Sequence, residues 1–388
     1  MTHPVAKPVA LYVHFPFCVS VCPYCDFVVY GGKDARGPSN RTADLVDALE
    51  IEIGLRAVPG ANMGSVYFGG GTPSLMSAAQ VERLLAAAAA AFGLQPDAEI
   101  TIEANPGGGE RGDLAGFRAA GVNRLSVGAQ TFDAAELKRI GRRHTRTDIQ
   151  ETVRLARQAG IDNISLDLLY DVPGQTIASW RDTLAGTLAL EPDHISVYAL
   201  TLDQPDGDDH LPPRRGAQAW RARAVEQQDA DRAADMYEIA DDAFETAGLS
   251  WYEVSNWSCP KRESRHNLAY WRGDAWEAVG PGAHAFDGDR TRRWNAARLD
   301  TYVTALSAER LPPGDSVTVD HATAHAERVM LALRTGSGLA VGESRQAEPA
   351  IAWGMEQRLL ETDASVVRLT RRGRLLSNEL FARLLPAP

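Results

Sequence analysis

Three cysteines within eight residues constrain this chain more than any other feature. Cys18, Cys22 and Cys25 stand in the run His14-Phe15-Pro16-Phe17-Cys18-Val19-Ser20-Val21-Cys22-Pro23-Tyr24-Cys25-Asp26-Phe27, and the fourth cysteine, Cys259, stands apart. Four cysteines in 388 residues are too few for a disulfide scaffold, and a tight triplet points to metal. The spacing C-x3-C-x2-C directly follows a predicted first strand. Three thiolates ligate three irons of a [4Fe–4S] cube and leave the fourth iron open to an outside ligand. A structural zinc closes its shell with four protein ligands, and His14 is the candidate fourth. Buried structural thiols are the remaining reading.

Composition narrows the setting. The chain carries 40 Lys+Arg and 51 Asp+Glu, so 40 − 51 = −11 at neutral pH, and 44% of its residues are hydrophobic. An acidic balance argues against nucleic acid as a partner, because phosphate binding needs a basic face. No apolar run approaches the ~18–20 residues that span a bilayer. The longest, Leu84 to Leu94, is mostly Ala. The stretch Met1 to Ala10 lacks a basic region followed by an apolar one, so no secretory signal is expected. The expectation is a cytoplasmic protein with no transmembrane anchor.

From Val9 to about Leu200, apolar runs alternate with helical patterns. Strands are predicted at Ala10–Phe15, Ser65–Phe68, Glu99–Glu103, Arg124–Val127, Ile164–Leu168 and His194–Ala199. Helices are predicted between them. Such alternation predicts an α/β fold with a parallel sheet, either doubly wound or a barrel, with the ligand site at the C-terminal strand ends. The tract 203–231 reads as a mobile loop or lid with a short helix near Trp220. A helix (Ala233–Ala247) and a strand (Trp251–Val254) follow. Residues 256–284 read as a structured loop. From about Asp315 a helix (Thr323–Arg334), a helix near Ile351–Leu360 and the segment Val366–Leu369 suggest a winged-helix-like unit.

The cysteine motif, with an aromatic before its third cysteine, resembles the radical S-adenosylmethionine (SAM) superfamily. The words Tyr-Val-His-Phe-Pro-Phe-Cys and Cys-Pro-Tyr-Cys-Asp-Phe resemble the branch holding oxygen-independent coproporphyrinogen III dehydrogenase and the related heme chaperones. The resemblance implies a partial (β/α)6 barrel with a smaller, mostly helical, winged-helix-like C-terminal domain. It divides the chain into a barrel core (1–245), a covering segment (246–310) and a C-terminal domain (311–388). It implies a [4Fe–4S] cluster on Cys18, Cys22 and Cys25, with SAM chelating the open iron. The chemistry it implies is reductive cleavage of SAM to methionine and a 5′-deoxyadenosyl radical.

Residues that would hold SAM follow by position in the motifs. Gly69-Gly70-Gly71-Thr72-Pro73 after strand two matches the motif at the SAM amino group, which offers Gly70, Gly71 and Thr72. Glu103, in Glu103-Ala104-Asn105-Pro106, is assigned to the methionine or ribose region; a carboxylate suits an ammonium and hydroxyls alike. Gln130 matches an amide near SAM. Arg142 matches an arginine on the SAM carboxylate, a task suited to a planar guanidinium fork. Arg139 and Arg143 beside it leave open a solvated basic face. Asp167, inside an apolar strand, needs a partner and matches the ribose carboxylate. Tyr12, Tyr24 and Phe27 are the remaining candidates around SAM, and plain core packing stays open for Tyr12.

Two features choose within the branch. The dehydrogenases carry a fourth cysteine two residues after the third, where this chain has Phe27. They also carry an N-terminal extension, for which a first strand near Val9 leaves no room. The run Arg265-His266-Asn267-Leu268-Ala269-Tyr270-Trp271 resembles the H-N-x-x-Y-W signature of the heme chaperones, followed by Val279-Gly280-Pro281-Gly282-Ala283-His284. Imidazole ligates heme iron and aromatic rings pack on the macrocycle, so His266 is the candidate heme ligand. The other reading has this loop packed over the barrel with His266 satisfied internally. Cys259-Pro260 is similar to a heme-regulatory dipeptide and is a rival. The resemblance thus implies heme as a ligand, delivery to heme-accepting respiratory proteins and an electron donor such as a flavodoxin or ferredoxin; peripheral contact with a membrane partner and a homodimer stay open. The alternatives are a coproporphyrinogen III dehydrogenase or other tetrapyrrole-modifying radical enzyme, and a zinc-stabilised binding protein.

Overall fold

Side chains alternate along the strands of this chain, and the alternation sets its layers. Strands β1 (Ala10–Phe15), β2 (Met63–Gly70), β3 (Leu94–Ala104), β4 (Arg124–Gln130), β5 (Asn163–Tyr170) and β6 (His194–Ala199) pair in sequence order, each parallel to the next. This computed structural model describes residues 6–35, 37, 40–202, 215–343, 347–363 and 365–385. Val66, Phe68, Ile100, Ile102, Leu125, Val127, Ile164, Leu166, Ile195 and Val197 are buried in one large apolar core. The alternate positions are polar: Ser65 and Tyr67, Glu99, Thr101 and Glu103, Arg124 and Ser126, Ser165 and Asp167, His194 and Ser196. Period-two alternation places these on the other face of the sheet.

The helices lie in the crossovers: α1 (Thr42–Leu55), α2 (Ala78–Phe92), α3 (Leu114–Ala119), α4 (Ala134–Arg139), α5 (Arg146–Gln158) and α6 (Ile177–Leu188). Their apolar sides, such as Leu45, Leu49, Ile53, Leu84 and Val153, join the same core. Capping boxes start α2 (Ser77 with Gln80) and α5 (Thr145 with Asp148), each cap worth about 1 kcal/mol. A doubly wound sheet reverses its strand order at a switch point. This order does not reverse, so the winding is that of a barrel.

The later chain extends the sheet on both sides. After α7 (Arg215–Val225) and α8 (Ala230–Thr246) come β7 (Ser250–Glu253) and β8 (Asn256–Ser258), with β8 antiparallel to β6. Then α9 (Arg265–Arg272) leads to β9 (Trp276–Val279), parallel to β1. Strands β10 (His284–Phe286), β11 (Thr291–Asn295) and β12 (Gly314–Thr318) continue beyond β9 to the edge, and α10 (Leu299–Ser307) lies between the last two. Residues 256–284 are therefore regular structure where a structured loop was expected. Ser264 caps α9 by accepting from the Asn267 N–H, and Gly273 ends it at φ +67°. The expected helix near Trp220 is α7. The lid expected over 203–231 lies partly outside the described residues, at 203–214.

At the C-terminus, α11 (His321–Leu333), β13 (Leu339–Ala340), α12 (Glu348–Glu356), β14 (Leu360–Asp363) and β15 (Val366–Leu369) surround a second, smaller core. The three strands form a sheet of order β13-β15-β14. The helix expected near Ile351–Leu360 stops earlier, because Arg358 turns at φ +57° and Leu360 opens a strand. Backbone bonds Val254 N–H to Arg334 O (3.2 Å) and Gly336 N–H to Tyr252 O (2.8 Å) tie this unit to β7. Among the described residues no helix is long and apolar enough to cross a membrane.

Candidate functional site

The cysteine loop leaves the end of β1 and is sewn to the end of β2. Gly71 N–H donates to Phe15 O (2.8 Å), Thr72 N–H to Phe17 O (2.8 Å) and Tyr30 N–H to Pro16 O (2.7 Å). A Cβ on Gly70, whose φ is +109°, would stand 2.5 Å from the His14 ring, and one on Gly71 would stand 2.7 Å from Phe17 O. These glycines therefore let β2 press against the base of the loop. From the other side, a Cβ on Gly280 would stand 2.6 Å from His14 O.

All four cysteines are free thiols. Thr72 Oγ1 donates to Cys18 Sγ at 3.5 Å, and the Arg142 guanidinium donates to Cys22 Sγ at 3.9 Å. Burial pushes the Cys18 thiol up to about 11 and the Cys25 thiol to about 12. Iron binding here would therefore have to displace protons from this loop. Three soft sulfurs in one loop, two of them already receiving hydrogen bonds, are a donor set that fits an iron–sulfur cluster. Among the described residues no three His, Cys, Asp or Glu side chains are gathered for a single ion. A cube offers each thiolate its own iron and needs no such convergence. His14 is also closed to zinc: one ring nitrogen lies 3.1 Å from Tyr12 OH and the other 2.8 Å from Val28 O.

Of the candidate SAM residues, Gly70, Gly71, Thr72, Glu103 and Gln130 lie at or just past the C-terminal ends of β2 to β4, Arg142 follows α4, Tyr24 and Phe27 are in the cysteine loop, and Tyr12 and Asp167 lie within β1 and β5. Glu103 accepts from Tyr67 OH (2.9 Å) and from Gly70 N–H (3.0 Å). Burial, with Asp167 nearby, raises its carboxyl to about 7. Asp167 accepts from Ser126 (2.9 and 3.0 Å) and from Ser165 (3.2 Å), and burial raises it too. Arg142 donates to Asn105 Oδ1 (2.5 Å) and Gly128 O (2.6 Å), while Asn105 donates to Thr72 Oγ1 (3.1 Å) and Glu110 (2.8 Å). This chain of contacts links β2, β3 and β4 to Cys22. The solvated basic face left open for Arg142 therefore applies to its exposed neighbours Arg139 and Arg143 instead. Gln130 sits at φ +66°, in the left-handed region, at an irregularity in the β4–β5 pairing. A non-glycine residue held there is a strained turn at the site. A cavity of about 260 Å³ opens beside Cys22, lined by Asn105, Gly107–Gly109, Arg142 and Arg143. Tyr12 is half-buried, its ring 6.2 Å from that of Tyr67. Tyr24 lies 6.5 Å from the Trp220 ring, and Phe27 is 68% exposed.

His266 is brought to the same face but is not open to a ligand. It is 2% exposed, with one ring nitrogen 3.0 Å from Ser65 Oγ and the other 2.7 Å from Tyr270 OH. Its ring stacks on Tyr67 at 5.0 Å. Burial, followed by the Arg124 charge, lowers its pKa to about 3. Both ring nitrogens are thus engaged by hydroxyls, and iron ligation by His266, the candidate heme ligand, would need one of these hydrogen bonds to give way. His266→Ala is expected to leave the Soret spectrum of added heme unchanged and to lower stability by about 1–3 kcal/mol, read by urea unfolding, as two buried hydroxyls lose a partner. Cys259 lies where Pro192 and Asp193 lead into β6, the end of the sheet opposite the cysteine loop.

Two supporting carboxylates escaped the sequence. Glu99 accepts the N–H groups of Arg265 and His266 (both 3.1 Å) and so fixes the start of α9. Glu52 accepts from Arg56 (2.7 Å), Asn295 (2.8 Å), Gly280 N–H (2.9 Å) and Tyr302 OH (2.6 Å). Spacing shows only the i,i+4 pair of Glu52 with Arg56; the other partners of both carboxylates lie far along the chain.

Known proteins share this arrangement. Residues 12–185 match the Radical SAM superfamily. The heme chaperone HemW of Mycobacterium tuberculosis is 34% identical over 386 residues, covering 98% of this chain and 95% of that protein. HemW of Bacillus subtilis is 33% identical over 396 residues, covering 96% and 98%. The mitochondrial radical S-adenosyl methionine domain-containing protein 1 of Bos taurus is 32% identical over 410 residues, covering 98% and 88%. The structure of the coproporphyrinogen III oxidase HemN of Escherichia coli superposes with a TM-score of 0.78, covering 98% of this chain and 90% of that one at 23% identity, which shows a shared fold. With cysteine loop, barrel winding and near full-length likeness in agreement, the chain belongs to the HemW family of the radical SAM superfamily.

Proposed function

We propose that this chain is a heme chaperone that binds a [4Fe–4S] cluster, SAM and heme, and passes heme to respiratory hemoproteins. The near full-length likeness to proteins named heme chaperone carries the reading. Phe27, where the dehydrogenase branch has a fourth cysteine, supports it. Cys18, Cys22 and Cys25 hold the cluster, which when reduced supplies one electron to bound SAM. Glu103 receives the SAM ammonium, Arg142 directs a remaining donor to the SAM carboxylate, and Asp167 holds the ribose hydroxyls. Gly70, Gly71 and Thr72 shape the floor of that site, and Gln130, Tyr12, Tyr24 and Phe27 border it. A flavodoxin or ferredoxin supplies the electron, and the chain works in the cytoplasm, meeting membrane partners at its surface.

Heme titration followed by transfer to an apo-hemoprotein tests this function. Stoichiometric binding with transfer is expected, and incubation with coproporphyrinogen III, SAM and reductant is expected to yield no protoporphyrinogen. Protoporphyrinogen formation would establish the dehydrogenase instead. Glu103 adds a pH signature. With its carboxyl at about 7, the anion that attracts an ammonium is mostly absent at pH 6 and mostly present at pH 8. SAM should bind about tenfold more tightly at pH 8 than at pH 6. Calorimetric titration checks this, and Glu103→Gln should remove most of the difference.

A further inference from the structure

Helix α7 reaches across to the cysteine loop through one side chain. Arg221 is 5% exposed. Its Nε donates to Pro23 O (3.2 Å), and its Nη2 donates to Cys25 O (3.1 Å) and to the Asp26 carboxylate. Trp220 beside it donates its indole N–H to Arg139 O (2.9 Å), and its ring faces Tyr24. Inside the loop, the Cys25 N–H closes a turn onto Cys22 O at 3.2 Å. The half of the loop that carries Cys22 and Cys25 is thus held by its own turn and by a guanidinium from a helix nearly two hundred residues later.

We propose that Arg221 is a positioning residue for the iron–sulfur loop. It fixes the conformation in which Cys22 and Cys25 face the cluster, and its charge offsets the Asp26 carboxylate that follows Cys25. This rests on the reading that the three cysteines hold a cluster. A planar fork spans two carbonyls and a carboxylate at once, which a lysine ammonium does not reproduce. The charge acts on the electron as well. Reduction adds a negative charge to the cluster, and an unpaired Asp26 carboxylate beside Cys25 would oppose it. Arg221 therefore raises the reduction potential and keeps the thiols from solvent.

Arg221→Ala, Arg221→Lys and Asp26→Asn test this on the full chain, in two states. In the metal-free chain, alkylation of Cys22 and Cys25 by iodoacetamide, followed by mass spectrometry, should be several-fold faster in Arg221→Ala, with Cys259 unchanged as internal reference. In the reconstituted chain, the potential should fall in Arg221→Ala and stay near wild type in Arg221→Lys, and the electron paramagnetic resonance signal of the reduced cluster should change in Arg221→Ala. Unchanged alkylation and unchanged potential in Arg221→Ala overturn the proposal. If Arg221→Ala does not fold, Arg221→Lys and Asp26→Asn decide it: loop alkylation equal to wild type in both overturns it. Failure of wild-type protein to take up iron and sulfide refutes the cluster reading instead and leaves the metal-free alkylation result standing by itself.

Discussion

Cys22→Ala is expected to reduce bound iron from about four per reconstituted chain to a small remnant, with loss of the absorbance near 400 nm. Two remaining thiolates leave two irons of a cube without protein ligands. The fold should survive, because Arg142 keeps Asn105 and Gly128 O as partners when Cys22 Sγ is lost. Thermal melting of the metal-free variant should match wild type. Cys259→Ala is the control and should retain full iron, since its sulfur sits against Pro192 O at the far end of the sheet. Iron and sulfide assays decide the matter, and a Cys22→Ala protein that keeps its cluster refutes the ligand set.

The second large effect is on stability. Glu52 is fully buried and receives four hydrogen bonds, from Arg56, Asn295, Gly280 and Tyr302. Glu52→Ala leaves the Arg56 guanidinium, 11% exposed, without its counter-charge. Removing one partner of a buried ion pair costs about 3–5 kcal/mol. Glu52→Gln keeps the shape and should cost less. The damage should also reach the cysteine loop, because the Gly280 turn packs against His14 O. Urea unfolding measures the stability, and a loss under about 1 kcal/mol for Glu52→Ala contradicts this account.

Much of the architecture was legible, for physical reasons. Alternation in the strand runs marked six parallel strands, and a solvent-poor Asp167 asked for the partners it finds in Ser126 and Ser165. The polar face as a whole was less visible, because each strand shows only two or three of its residues. Helix α9 was hidden by the aromatic and glycine content around it, although Ser264 and Gly273 bounded it. The H-N-x-x-Y-W motif was plain, yet whether its histidine pointed to a ligand or to the sheet depended on Ser65 and Tyr67, some two hundred residues earlier. Glu52 reads as one more charge on a helix until Tyr302 is placed 2.6 Å away.

Strand β1, which carries the cysteine loop, pairs on one side with β9, where Ala10 stands opposite Trp276. Their separation is 276 − 10 = 266 residues. During synthesis β1 therefore has an open edge until most of the polypeptide has emerged. Contacts of such high order form late, and an unpaired strand edge invites association with other chains. Iron meeting the chain before β9 has emerged would therefore find a half-framed loop.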